Sequence, residues 1–116
     1  MNKSEIGKLK EDLAVKFLRE RGYVIVERNF RKRFGEIDIV AKDGNCLVFV
    51  EVRSRSHDTF GKAVESIDIR KKRKLSKIAA YYINEVNQHF DEVRFDVISI
   101  TADEIEHIKN AFEVEF

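Results

Sequence analysis

Two short stretches carry residue types that can do chemistry together, Gly35-Glu36-Ile37-Asp38 and Val50-Glu51-Val52-Arg53. Asp43-Gly44 between them is a two-residue turn signal, so the stretches read as the arms of one hairpin. With that turn, Lys42 faces Asn45, Asp38 faces Phe49 and Glu36 faces Glu51. Glu36, Asp38, Glu51 and Arg53 then share one face, while Ile37, Ile39, Val50 and Val52 point the other way into a core. Carboxylates about 5 Å apart repel by roughly 3 kcal/mol at an effective dielectric of about 20, and by far less in water. A covered sheet therefore favours a cation between them, and hard oxygen ligands suit Mg2+ or Mn2+, which take one or two carboxylates plus a substrate phosphate. A solvated hairpin whose acids pair with Arg53 and Arg55 accounts for the same pattern, and the hairpin alone leaves both readings open.

Charge is unevenly distributed around these acids. Residues 1–35 carry ten Lys/Arg against five Asp/Glu, residues 53–77 carry nine against three, and the stretch between them carries one against four. Residues 78–116, with two against nine, bring the total back to a net +1. Basic segments around an acidic middle suit a polyanion held beside a metal, although a balanced solvated surface has the same composition. Arg70-Lys71-Lys72-Arg73-Lys74 is the densest basic run, and helical geometry lets only two or three of its residues face one phosphate track. Arg31, Lys32 and Arg33 extend that track, with Phe30 and Phe34 as stacking candidates that more often belong to a core.

The elements that must position these residues follow from periodicity. Ser4 is a candidate cap for a first helix whose apolar stripe is Ile6, Leu9, Leu13, Phe17 and Leu18, and Gly22 stops it. Residues 23–27 read as a strand, 28–33 as a basic loop, and 36–42 and 46–53 as the hairpin arms. After a polar loop over 54–60, a long helix is expected over 68–87, burying Leu75, Ile78, Ala79, Tyr82, Ile83 and Val86. A strand over 93–100, a tight turn near Ala102-Asp103 and a short strand or helical turn over 105–108 complete the order α-β-β-β-α-β with a possible last strand. Such an order makes an α/β (α+β) mixed sheet with helices packed on it.

Length and composition narrow the class. With 116 residues, 43% hydrophobic and 37% charged, the chain is expected to be one compact globular domain over 1–116. The longest apolar run, residues 46–50, is too short to span a bilayer, and residues 1–16 have no signal-peptide pattern, so a cytoplasmic location is expected. A single cysteine, Cys46, excludes an intramolecular disulfide and a multi-thiolate zinc site. His57, His89 and His107 have no ligand spacing.

At these residues the chain resembles a known family. Gly35-Glu36-Ile37-Asp38, Phe49-Val50-Glu51-Val52-Arg53 with Arg55, Phe60-Gly61 with Ala63, and Arg94-Phe95-Asp96 resemble the YraN family of predicted endonuclease-like proteins, uncharacterised protein family 0102, within the PD-(D/E)XK nuclease superfamily. The resemblance runs from about Gly7 to Phe112 and implies a restriction-endonuclease-like core. It makes Asp38 the first metal-binding aspartate and Glu51 the second acid, with Arg53 where the superfamily has lysine. Glu11, in Lys10-Glu11-Asp12-Leu13-Ala14, matches a helix glutamate that completes the acidic pocket in related nucleases. Lys10 departs from the family's Gly-x-x-Gly-Glu at the second glycine, Glu36 and Lys71 match family positions, and Asp96 is read as structural.

The activity so implied is metal-dependent hydrolysis of phosphodiesters in nucleic acid, DNA before RNA and including branched or damaged forms. Asp38, Glu51 and Glu11 would hold Mg2+ or Mn2+, Arg53 would stabilise charge on the phosphate, and Arg55, Arg70, Lys71, Arg31 and Arg33 would bind the strand. Arg53 cannot serve as a base, because its pKa stays above about 12. A homodimer is one way for so small a chain to cover more duplex. The rival readings are a non-catalytic DNA or RNA clamp on the same fold and a protein-interaction adaptor.

Overall fold

A computed structural model describes residues 2–54, 67–102 and 104–113. The motif residues Arg55, Phe60, Gly61 and Ala63, the polar loop beyond Ser54, His57 and Asp103 lie outside the described residues. The elements in order are α1 (Lys3–Glu20), β1 (Val24–Lys32), β2 (Gly35–Asp43), β3 (Cys46–Ser54), α2 (Ile69–Val86), β4 (Glu92–Ile100) and β5 (Ile105–Phe112). The five strands form one mixed sheet in the order β1-β2-β3-β4-β5, antiparallel throughout except for the parallel pair β3–β4. This is the expected α+β fold class and element order, with the last strand present and longer than expected. No described helix is long and apolar enough to cross a membrane.

Each face of the sheet carries one of the two described helices. Leu75, Ile78, Ala79 and Tyr82 of α2 pack on Ile37, Val40, Leu47, Phe49, Phe95 and Val97. Ala14, Val15 and Leu18 of α1 pack on Ile39, Ala41, Val48, Val50, Ile98 and Ile100. Burial on both faces explains why residues 46–50 form an unbroken apolar run. The two-sided core corrects the expectation that Ile37 and Ile39 share a face: Ile37 lies under α2 and Ile39 under α1, so alternation breaks at Asp38. Across β1 the same break separates Phe30, under α2, from Arg28, which pairs with α1. Asn29 between them has φ 53°, a left-handed conformation that asparagine tolerates better than most residues.

The helix ends follow local chemistry. Asp68 caps α2 by accepting from the Lys71 amide at 2.9 Å, and Asn87 closes it at φ 47°. The cap of α1 is Asn2 rather than Ser4, with its side chain accepting from the Glu5 amide at 2.8 Å. At the other end, Gly22 at φ 87° lets the amides of Gly22 and Tyr23 return to the carbonyls of Arg19 and Leu18. The predicted apolar stripe of α1 is corrected as well: Ile6, Leu9 and Leu13 are exposed, and the inward row is Glu11, Ala14, Val15 and Leu18. Salt bridges from Arg28 to Glu11 and Asp12 set that rotation. Residues 28–32, expected as a loop, belong to β1 because they pair with β2, as in Phe30↔Ile37 and Arg31↔Glu36.

A buried polar network locks the far side of the sheet. Asp96 is fully buried and accepts from Arg94 Nε at 2.9 Å, from the Asn110 amide at 3.0 Å, and lies 2.7 Å from His107 Nε2. Arg94 also donates to the Tyr23 hydroxyl and, at 3.3 Å, to Asp43. The structural reading of Asp96 fits this role, which ties β4 to β5 across the register shift between Phe95 and Val97. Burial pushes the Asp96 pKa up, but the bonds from His107, Arg94 and the Asn110 amide together hold it below the ordinary carboxylate value. A lowered carboxyl pKa adds stability above the unfolded-state value of about 3.9, and that stability is lost as pH falls through the folded-state value. Asp96→Ala should cost about 3–5 kcal/mol in urea unfolding at pH 7, as for a broken buried ion pair. The variant should also lose less stability on acidification than the parent, and equal stabilities at pH 7 would remove the network from the fold's support.

Candidate metal centre

The site forms where β2 and β3 part. Their ladder runs from Asp43↔Cys46 to Ile39↔Val50, with Gly44 and Asn45 as the turn and Gly44 at φ 61°. The expected Asp43-Gly44 turn is therefore displaced by one residue in each arm. The correction sets Asp38, by count, opposite Glu51 rather than Phe49. An even slip preserves strand parity, which is why the two acids still meet. Beyond Val50, β3 continues its pairing with β4, and the Val52 amide donates to Asp38 Oδ2 at 2.8 Å. A side-chain oxygen thus occupies the place of a strand carbonyl and aims the carboxyl at the fork.

Glu51 reaches the same point with a side chain only 7% exposed. Its Oε2 lies 3.3 Å from Lys71 Nζ, in the first turn of α2, and 3.7 Å from Arg53 Nη2. Arg53 Nε is buried with no hydrogen-bond partner among the described residues. The Asp38 pKa is pushed up to about 8, first by burial, then by the hydrogen bond shared with Glu51 and by the charges of Glu51 and Glu36, against the Val52 amide. Burial beside Glu51 thus favours the protonated form of Asp38, even with Lys71 and Arg53 near Glu51. The hard oxygen donors and the repulsion that raises Asp38 fit a divalent metal, for which Asp38 and Glu51 are the ligands the geometry offers.

The other candidate residues surround this pair without joining it. Among the described residues no three His, Cys, Asp or Glu side chains form a metal-holding group. Glu11 is drawn to Arg28 Nε and Asn29 Nδ2, each at 3.0 Å, and Asn29 stands opposite Asp38 by register count. Glu11, Arg28, Asn29 and Arg31 line, with Ser4 and Lys8, a cavity of about 710 Å3 beside the fork. Glu36 pairs with exposed Arg31 at 3.0 Å instead of facing Glu51. Arg33 and Arg70 are exposed, the former in the β1–β2 turn and the latter on α2. Lys71, read from sequence only as a strand-binding residue, is the one cation that α2 delivers to Glu51. The signal for it was its place three residues after the Asp68 cap, which fixes the helix start and so the direction of Lys71.

A carboxyl raised in the folded state stabilises the fold below its unfolded-state pKa and loses that contribution as pH rises through the folded value. The unfolded-state value is about 3.8 and the folded value about 8, so metal-free protein should lose stability between about pH 4 and pH 8. Asp38→Asn should flatten this decline, and Mg2+ or Mn2+ should oppose it, binding more tightly at pH 8.5 than at pH 6. Urea unfolding in chelator, repeated with metal, measures both; parallel pH profiles for the parent and Asp38→Asn would refute the raised Asp38 pKa.

Comparison with known proteins agrees with the resemblance seen in the motifs. The model of uncharacterised protein family UPF0102 matches residues 10–100. A UPF0102 protein of Thermodesulfovibrio yellowstonii is 51% identical over 112 residues, covering 97% of this chain and 99% of the relative. One from Persephonella marina is 51% identical over 110 residues, covering 95% of each, and one from Clostridioides difficile is 44% identical over 114 residues, covering 97% of this chain and all of the relative. The chain belongs to uncharacterised protein family UPF0102, the YraN family.

Proposed function

We propose that the protein is a metal-dependent nuclease that hydrolyses phosphodiester bonds in nucleic acid, with DNA, including branched or damaged forms, as the favoured substrate. The observation that carries this reading is the buried Asp38–Glu51 pair at the strand fork, flanked by Lys71 and by the unpartnered Nε of Arg53. Two buried acids make a cation site, and the partly exposed guanidinium of Arg53 beside them suits an incoming phosphate oxygen. Asp38 and Glu51 would hold Mg2+ or Mn2+, with Glu11 at the edge of the adjoining cavity. The bound cation supplies charge neutralisation on the phosphate and a more acidic water.

The chain's own groups divide the remaining work. Arg53 and Lys71 place two positive charges where negative charge grows on the phosphate. Lys71 comes from the helix, yet its ammonium stands beside the second acid, the neighbourhood the superfamily's strand lysine serves. Arg53 keeps its proton throughout. Exposed Arg31, Arg33 and Arg70 extend the positive surface for the flanking strand, and Arg55 remains a candidate from sequence. A non-catalytic nucleic-acid clamp is the second reading. It is favoured by one feature, namely that Lys71 already neutralises Glu51 and no third acid joins the described pair.

Single-turnover cleavage of duplex, single-stranded and branched DNA and RNA, with Mg2+, Mn2+ or chelator, decides between them. Asp38→Asn and Glu51→Gln should abolish cleavage. Arg53→Ala and Lys71→Ala should each lose about a hundredfold or more at matched folded concentration, as when a donor aimed at developing charge is removed. Arg53→Lys should retain measurable rate, since it keeps the charge and loses only the planar fork. Binding without cleavage in every metal would select the clamp.

A further inference from the structure

Away from the acid pair, α2 and the β1–β2 turn enclose a groove of about 990 Å3. Phe34, Tyr81, Ile83 and Lys77 supply its rings, apolar floor and charge, and Asn84 and Asn87 its amides. Among the described residues no acidic one lines it. Tyr81 is 43% exposed and meets the Phe34 ring edge-on, with centroids 5.6 Å apart. Cations sit over these rings: Lys77 Nζ is 5.1 Å from the Phe34 centroid and Lys32 Nζ 5.4 Å from that of Tyr81. The groove thus pairs aromatic surface with positive charge and with amide groups that can both donate and accept.

The helix connects this groove to the candidate metal centre. Arg70, Lys74, Lys77, Tyr81 and Asn84 recur at intervals of four, three, four and three residues, which is one face of α2, and all five are exposed. The stripe begins beside Lys71, which touches Glu51, and changes from cationic to aromatic one turn before its end. From Lys71 to Tyr81 is about 15 Å at 1.5 Å per residue, within the reach of a short single-stranded segment. Phosphates could follow the cations while a base lies on the rings. A paired base offers no free face for such stacking; an unpaired one does.

We propose that this groove is a stacking site for an unpaired nucleobase, a few nucleotides from the phosphate at the metal centre, so that the substrate class includes a single-stranded segment. This deepens the nuclease reading and rests on it for the placement of the strand. The groove's own claim is narrower, that Tyr81 contacts bases and that Lys77 contacts the strand. Phe30, the other aromatic named from sequence, is buried against Tyr82 and serves the core instead.

The chain has no tryptophan and three tyrosines, of which Tyr23 and Tyr82 are buried, so quenching that is present in the parent and absent in Tyr81→Phe reports on Tyr81. The test titrates the intact protein, in chelator, with twenty-nucleotide single-stranded DNA, single-stranded RNA and duplex DNA of one mixed sequence, following anisotropy and tyrosine emission. Single strands should quench the emission, and Tyr81→Ala should weaken single-strand binding by about five- to a hundredfold while changing duplex binding less than about twofold. Tyr81→Phe should keep the affinity and lose the quenching, and Lys77→Ala should lower the slope of log affinity against log salt by about one unit. The DNA and RNA arms show which strand the groove accepts. Binding by the parent that is unchanged in Tyr81→Ala and Lys77→Ala overturns the groove and leaves the nuclease reading standing. No binding of any probe by the parent overturns both. A parent that sediments as a dimer and a Tyr81→Ala variant that is monomeric would give the groove to a second copy of this chain and overturn the proposal.

Discussion

The hydrogen bond from the Val52 amide to Asp38 Oδ2 is the contact on which the candidate site depends. At Val50 the ladder between β2 and β3 ends while β3 continues beside β4. An amide left at such a fork needs an acceptor, because an unpaired buried donor costs about 1–3 kcal/mol. Asp38 provides one, and in doing so its carboxyl is fixed against Glu51 and removed from water. The raised Asp38 pKa is thus a consequence of backbone geometry, since burial is its largest cause and the shared bond with Glu51 the next.

The break in strand alternation belongs to the same device. Asn29 takes a left-handed φ opposite Asp38, and around these two residues both strands transfer side chains from one helix to the other. Asn29 then donates to Glu11 from α1, while Lys71 reaches Glu51 from α2. The helix α2 therefore meets the fork through Lys71, while α1 reaches only the β1 residues Arg28 and Asn29 beside it. Across the sheet, the Arg94–Asp96–His107 network fixes β4, the parallel neighbour of β3, against β5. Its contribution to the site is rigidity of the strand that carries Glu51.

Much of this was legible in residue patterns, and the failures have physical causes. The span of α2 followed from its apolar spacing, of which Leu75, Ile78, Ala79 and Tyr82 are buried and Val86 is exposed, and the caps Asp68 and Asn87 agree with that span. For α1 they disagree: the strongest apolar row contains Ile6, Leu9 and Leu13, but the salt bridges of Arg28 turn Glu11 and Ala14 inward. Hydropathy periodicity cannot register a rotation set by ion pairs with a strand. The Asp38–Glu51 meeting was readable because parity survives an even slip, whereas their partners were not, since the turn Gly44-Asn45 and the fork depend on tertiary pairing. Lys71 was visible as one of five consecutive cations, and only the packing of α2 distinguishes it from the others.

The division between Lys71 and its neighbours bears on why the cations are separate residues. A cation held at Glu51 lowers the cost of the acid pair when no metal is present, but it also competes with metal for the same oxygens. Lys71 suits that place: its ammonium sits on a flexible stem, and at 3.3 Å it is a point charge, so it can withdraw without breaking a bidentate fork. Arg53, the residue after Val52, stands 3.7 Å from Glu51 with its Nε buried and unpaired among the described residues, so a phosphate would meet the exposed part of a side chain that is 32% exposed as a whole. On the proposed reading the lysine neutralises Glu51 until a metal binds and then joins the arginine at the phosphate. The remaining stripe on α2 needs neither property, because phosphate tracking asks only for exposed positive charge.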